Sequence, residues 1–292
     1  MSRIQDILKK AERDGGVQRT RALVPDASSA AAASAGASAI AMPAPWTPAA
    51  RETQDTASEE MPARSVSGTL DPRLVSAFAP QSLAAEQYRS LRTRIKASEN
   101  GRVFRSFVIT SPNKGDGKSL TAANLSLAMA QEFHQRVLLV DADLRRPSIH
   151  HLFGINETPG LTDVLMGGAA VEEALVEIPE HRLTVLPSGL VPVHPAELLG
   201  SSGMRRVLDT LRTRYDRVIL DMPPVAPLAD VSIVAGMVDG ILMIVRAGIT
   251  PKPAIERALA GLELSKVLGL VLNDAGAIDG AAEYDGYGYV EG

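Results

Sequence analysis

From about residue 80 onward, unbroken apolar runs alternate with amphipathic stretches. Val137-Leu138-Leu139-Val140 and Ile241-Leu242-Met243-Ile244-Val245 carry no polar position, the pattern of strands covered on both faces. Strands are predicted over 106–110, 137–142, 183–186, 218–221, 241–245 and 267–272, and helices over 119–133, 161–166, 204–215 and 252–264. Their alternation implies an α/β fold, with a mostly parallel sheet between two helix layers. Ahead of the first of these strands, Ser82 is placed to cap a helix that carries Leu83, Leu91 and Ile95 on one face and ends near Asn100-Gly101.

The pattern differs before residue 80. Ile4, Ile7, Leu8 and Ala11 recur at helical spacing among Arg3, Lys9, Lys10 and Arg13. This marks 1–21 as a short amphipathic helix, read either as a solvated end or as a docking helix for a partner or membrane surface. Residues 22–80, rich in Ala, Ser, Pro and Thr without apolar periodicity, are expected to form a flexible linker. A P-loop domain over 81–278 and a tail over 279–292 follow. The apolar content of 45% with 4% aromatics suits an Ala/Leu/Val core. A net charge of -4 argues against a surface built to coat nucleic acid, and no nucleic-acid partner is expected. The chain has no cysteine, which rules out disulfides and thiolate chemistry and fits a cytoplasmic location. Its start lacks a secretory profile and its Ala/Ser stretch at 27–44 is too weakly apolar to span a bilayer, so any membrane link is expected to come through a partner.

Candidate chemistry gathers behind the predicted strands. After 106–110 comes Ser111-Pro112-Asn113-Lys114-Gly115-Asp116-Gly117, then Lys118-Ser119 at the start of a helix. That strand–loop–helix context is what a phosphate cradle requires, although Pro112 stands where the strict pattern has glycine. The glycines let backbone N–H groups converge on phosphate oxygens, Lys118 neutralises outer phosphate charge, and the Ser119 hydroxyl suits Mg²⁺. Asp141 lies at the end of the second strand with Asp143 just after it, and Asp221 closes the fourth. Residues at the carboxyl ends of parallel strands line the ligand crevice, so the three acids are expected beside Ser119. Hard oxygen ligands suit the metal of a nucleotide, and one carboxylate can accept a proton from an attacking hydroxyl.

With this loop, Val140-Asp141-Ala142-Asp143-Leu144-Arg145 and Leu220-Asp221-Met222-Pro223-Pro224 in view, the chain resembles the bacterial protein-tyrosine kinases of capsule and exopolysaccharide production, from about Gln81 to the C-terminus. In that family these segments are the Walker A, A′ and B elements. Glu86, Arg89 and Arg92 match the Glu-x-x-Arg-x-x-Arg element that joins subunits into a ring, and a spacing of three keeps them on neighbouring helix faces. The tail holds Tyr284, Tyr287 and Tyr289 among glycines and acids, as phosphoacceptors would be. The resemblance implies that Gly115, Asp116, Gly117, Lys118, Ser119 and Leu120 hold ATP. It also implies that Ser119, Asp143 and Asp221 organise Mg²⁺, that Asp141 orients or deprotonates the tyrosine hydroxyl, and that Asn273 contacts adenine. Arg145 and Arg146 lie beside the site, to meet phosphate or the acidic tail. It implies further a membrane-spanning co-polymerase as activator of a stand-alone cytoplasmic kinase recruited to the inner face of the plasma membrane.

Two other functions share the loop. A ParA/MinD-like positioning ATPase carries a signature lysine where this chain has Asn113, and Lys114 falls one residue late. An ATP-binding ring scaffold with little turnover is the third reading. The five histidines, His134, His150, His151, His181 and His194, show no metal-ligand spacing.

Overall fold

The structure is a computed structural model that describes residues 64–65, 68–99, 101, 103–132, 135–225, 227 and 229–275. The expected helix of 1–21, most of the linker, His134 and the tail tyrosines lie outside them. In chain order the elements are β1 (Arg64–Ser65), α1 (Val75–Phe78), α2 (Leu83–Ser98), β2 (Ser106–Thr110), α3 (Lys118–Ala130), β3 (Val137–Asp141), α4 (Ile149–Phe153), α5 (Leu161–Leu165) and α6 (Val171–Ala174). There follow β4 (Val176–Ile178), β5 (Leu183–Leu186), α7 (Pro195–Leu199), α8 (Ser202–Arg214), β6 (Arg217–Asp221), α9 (Asp230–Ala235), β7 (Gly240–Arg246), α10 (Lys252–Ala260) and β8 (Val267–Asn273).

The sheet runs β1-β4-β5-β3-β6-β2-β7-β8. From β5 to β8 every pairing is parallel; β4 runs antiparallel to β5, and β1 pairs parallel with β4. The continuous apolar runs make this possible. Val108, Leu138, Val140, Leu220 and Met243 enter one core, while Phe107, Ile109, Leu139, Ile219 and Ile244 enter the other. Alternate side chains thus leave opposite faces, and both faces are covered. Helix α3 is buried from Thr121 to Ala130, where Ala122, Ala123, Ser126, Ala128 and Ala130 are small enough to let backbones approach.

Two expectations need correcting. The linker drawn to residue 80 ends earlier, because residues 68–80 pack on the domain. Leu74 is fully buried, Ser76 N–H donates to Asn124 Oδ1 at 3.0 Å, and Gln131 Nε2 donates to the Ser76 carbonyl at 2.9 Å. Leu70 and Ala77 pack against the same core as Leu74, and the Asp71 N–H donates to the Leu152 carbonyl at 2.8 Å, but apolar residues this sparse still read as linker by composition. In α2 the Ser82 hydroxyl does accept the Ala85 N–H at 3.2 Å, and Ile95 is buried, but Leu83 is exposed. At 3.6 residues per turn Leu83 lies roughly 120° round the helix from Ile95, outside the packed stripe.

Candidate active site

β2 delivers the chain to the phosphate loop at the carboxyl edge of the sheet. Gly115 and Gly117 hold φ angles of 88° and 95°, a region where side chains are strained. A Cβ at Gly117 would also stand 2.0 Å from Asn273 Nδ2. α3 opens at Lys118 immediately afterwards, so its unpaired N–H groups and positive dipole end face the loop. Asp116 is buried and serves the loop itself. Its carboxylate accepts the Asn113 N–H at 2.8 Å and the Thr250 hydroxyl at 2.7 Å, and its carbonyl accepts Asn273 Nδ2 at 2.9 Å. The Thr250 oxygen in turn accepts the Arg246 N–H at 2.9 Å. The loop is therefore tied to the ends of β7 and β8.

Strand register gathers the acids. Asp141 of β3 lies opposite Asp221 of β6, and Asp221 lies opposite Ile109 of β2. Past the strand ends the ladder continues: Ala142 N–H donates to the Asp221 carbonyl at 2.9 Å and Met222 N–H to the Ile109 carbonyl at 3.0 Å. Lys118 Nζ reaches Asp143 Oδ2 at 2.7 Å, the Ser119 hydroxyl at 3.1 Å and Asp221 Oδ1 at 3.6 Å. Asp141 lies deeper. It is fully buried, and its carboxylate accepts amides of Asp143 at 3.3 Å and of Ser148 and Ile149 at 2.9 Å each.

Such crowding moves the proton affinities. Burial first, then the Asp221 charge, pushes the Asp141 carboxyl up to about 7, against the Ile149 and Ser148 amides and the Lys118 charge. Burial likewise raises Asp221, with Lys118 and the Ser119 hydroxyl opposing it. Burial alone would lower Lys118, but the charges of Asp221 and Asp143 outweigh it and the ammonium is held above its ordinary range.

An open pocket of about 810 Å³ lies against this cluster, walled in part by Lys118, Ser119, Leu120, Asp143, Arg146 and Asn273. Both carboxylate oxygens of Asp221 are buried without a hydrogen-bond donor, and the Ser119 hydroxyl stands beside them. Among the described residues no three His, Asp or Glu side chains form a metal cage. A hydroxyl with one or two carboxylates is the partial oxygen set that Mg²⁺ completes with phosphate oxygens and water, so these residues fit that ion.

Lys118, Ser119, Asp143, Asp221 and Asn273 are thus brought together, while Glu86, Arg89 and Arg92 lie elsewhere on α2. There Arg89 Nε donates to Glu86 Oε2 at 2.7 Å, and an Arg92 guanidinium N–H donates to the Ala128 carbonyl at 2.5 Å. Thr250, Arg246 and Arg73, which holds a place on the pocket wall, escape the sequence reading. A threonine in a loop and an arginine in an apparent linker carry no local signal.

Fold and site together define a P-loop nucleotide-binding protein. A family model described as an AAA domain matches residues 106–250. The tyrosine-protein kinase YwqD of Bacillus subtilis is 39% identical over 217 residues, 74% of this chain and 91% of that protein. The tyrosine-protein kinase CpsD of Streptococcus agalactiae is 34% identical over 206 residues, 70% of this chain and 88% of that one. Among solved structures, the chimerical protein CapA2B2 is 31% identical, with a TM-score of 0.67 over 73% of this chain and 94% of that one. The chain belongs to the bacterial tyrosine-protein kinases. Among the described residues no helix is long and apolar enough to cross a membrane.

Proposed function

We propose that this kinase transfers the γ-phosphoryl group of Mg·ATP to Tyr284, Tyr287 and Tyr289 of neighbouring copies, and so regulates the polymerisation and export of capsule or exopolysaccharide. The observation that carries the proposal is the meeting of Lys118, Ser119, Asp143 and Asp221 at the mouth of a helix N-terminus. Phosphoryl transfer asks the protein chiefly for positioning and charge neutralisation, and this cluster supplies both. Lys118 and the amides of 115–120 hold the outer phosphates, with Asp116 shaping the loop from behind. Asn273 receives the base. Ser119, Asp143 and Asp221 hold Mg²⁺, which when bound neutralises phosphate charge.

For the proton we assign Asp141. A carboxyl raised to about 7 matches the pH at which a general base works best. Its Oδ2 accepts the Ser148 and Ile149 amides, which leaves Oδ1, held only by the Asp143 N–H at 3.3 Å, as the oxygen for the tyrosine hydroxyl. Glu86, Arg89 and Arg92 join copies into a ring that brings one tail to the next site. A membrane-spanning co-polymerase recruits and activates the ring at the inner face of the membrane.

Transfer between copies is tested by mixing two full-length variants with Mg·ATP. One carries Lys118→Met and an intact tail; the other keeps Lys118 but has the three tail tyrosines changed to Phe. Phosphotyrosine on the Lys118→Met chain is expected. If wild type labels itself while this mixture stays blank, transfer between copies is rejected.

A further inference from the structure

We propose that Arg146 is a specificity residue, a free guanidinium on the pocket wall that selects acidic sequence around the acceptor tyrosine. The inference rests on the kinase reading above and names its substrate class: an acidic, tyrosine-bearing segment of a second copy of this chain.

Besides Lys118, five cationic side chains line the pocket: Arg73, Lys114, Arg145, Arg146 and Arg246. Their partners separate them. Arg145 closes on the buried Asp230 through bonds of 2.7 and 3.0 Å, so it is spent within the fold. Arg246 holds Asp274 at 2.9 Å and Arg73 holds Asp71 at 2.7 Å. Lys114 and Arg146 are exposed and form no ion pair with another described residue. Lys114 belongs to the phosphate loop, where a nucleotide competes for it. Arg146 belongs to the turn after β3. Its N–H donates to the Asp143 carboxylate at 3.1 Å, and two residues later the amides of Ser148 and Ile149 cap Asp141. The backbone is therefore fixed, and Arg146 lines the same pocket as Asp143.

The complementary charge is written in the chain's own end. Residues 279–292 hold Asp279, Glu283, Asp285 and Glu291 around the three tyrosines and contain no Lys or Arg. A planar guanidinium takes a carboxylate through two parallel hydrogen bonds, a geometry that a lysine lacks.

The test uses the full chain with its tail tyrosines changed to Phe, Mg·ATP, and two synthetic peptides. One peptide is residues 279–292; the other carries the changes D279N, E283Q, D285N and E291Q. The acidic peptide should be preferred by roughly tenfold in kcat/KM, the size of one charge-assisted hydrogen bond, with the difference lying in KM. Arg146→Ala should abolish the preference and Arg146→Lys restore part of it. An equal loss on both peptides, or a raised KM for ATP with the preference intact, would assign Arg146 to the nucleotide and overturn the inference. If both peptides are labelled alike before mutation, the inference alone fails; if neither is labelled under conditions in which the wild-type chain labels itself, the tail reading fails and takes the inference with it.

Discussion

Lys118 offsets the negative charge of Asp141, Asp143 and Asp221, and its removal shows how that cluster is balanced. Leaving buried carboxylates without their cation costs about 3 kcal/mol where they are ionised. Lys118→Met should therefore lose about that much stability in urea unfolding at pH 8, and clearly less at pH 5.5, where Asp141 takes up a proton. The same shift predicts the pH dependence of the wild type. A carboxyl raised from 3.8 to about 7 binds its proton more tightly when folded. Its stabilising effect is complete below 3.8 and lost as pH rises through about 7. His150, lowered from 6.5 by burial and then by His151, acts in the opposite direction only below that value. Between pH 6.5 and 8 the protein should thus lose about 1 kcal/mol, measured as a falling Tm, and Asp141→Asn should flatten the slope. At this scale the strand-ending acids and Lys118 are legible as letters in a pattern. The inward role of Asp116 and the capture of Arg145 by Asp230 are not, because each depends on a partner more than 80 residues away.

Among the elements, the phosphate loop and α1 make the sharpest contrast. Gly117 combines a positive φ with a contact that leaves no room for a Cβ. Gly117→Ala should cost at least roughly 1 kcal/mol of stability and displace Asn273, read as weakened nucleotide binding in calorimetry. Helix α1 hangs on Leu74; Leu74→Ala should destabilise by about 2–5 kcal/mol in thermal unfolding. The six parallel strands are visible in the sequence because burial on both faces forces apolar runs. β4 is not, since three residues with one exposed glutamate make no run. The packed stripe of α2 is misjudged at Leu83 because apolar letters on a helix mark its core face only when their angles agree.

At the scale of the molecule, a parallel sheet sets two acids on adjacent strands and one just beyond, and aims a helix N-terminus at the same point. Assembly is the remaining requirement of transfer between copies. Glu86 has a 60% exposed side chain, whereas Arg92, at 18%, is also tied to α3. Glu86→Ala should lower the assembled mass in light scattering without moving Tm, while Arg92→Ala should lower both. The most direct measurement of the central claim is phosphotyrosine on purified full-length protein incubated with Mg·ATP, with and without a cytoplasmic segment of the proposed co-polymerase partner, beside Lys118→Met. Phosphotyrosine in the wild type and its absence from the variant are predicted. A wild type that stays blank, or a Lys118→Met protein that labels as strongly, would contradict the account.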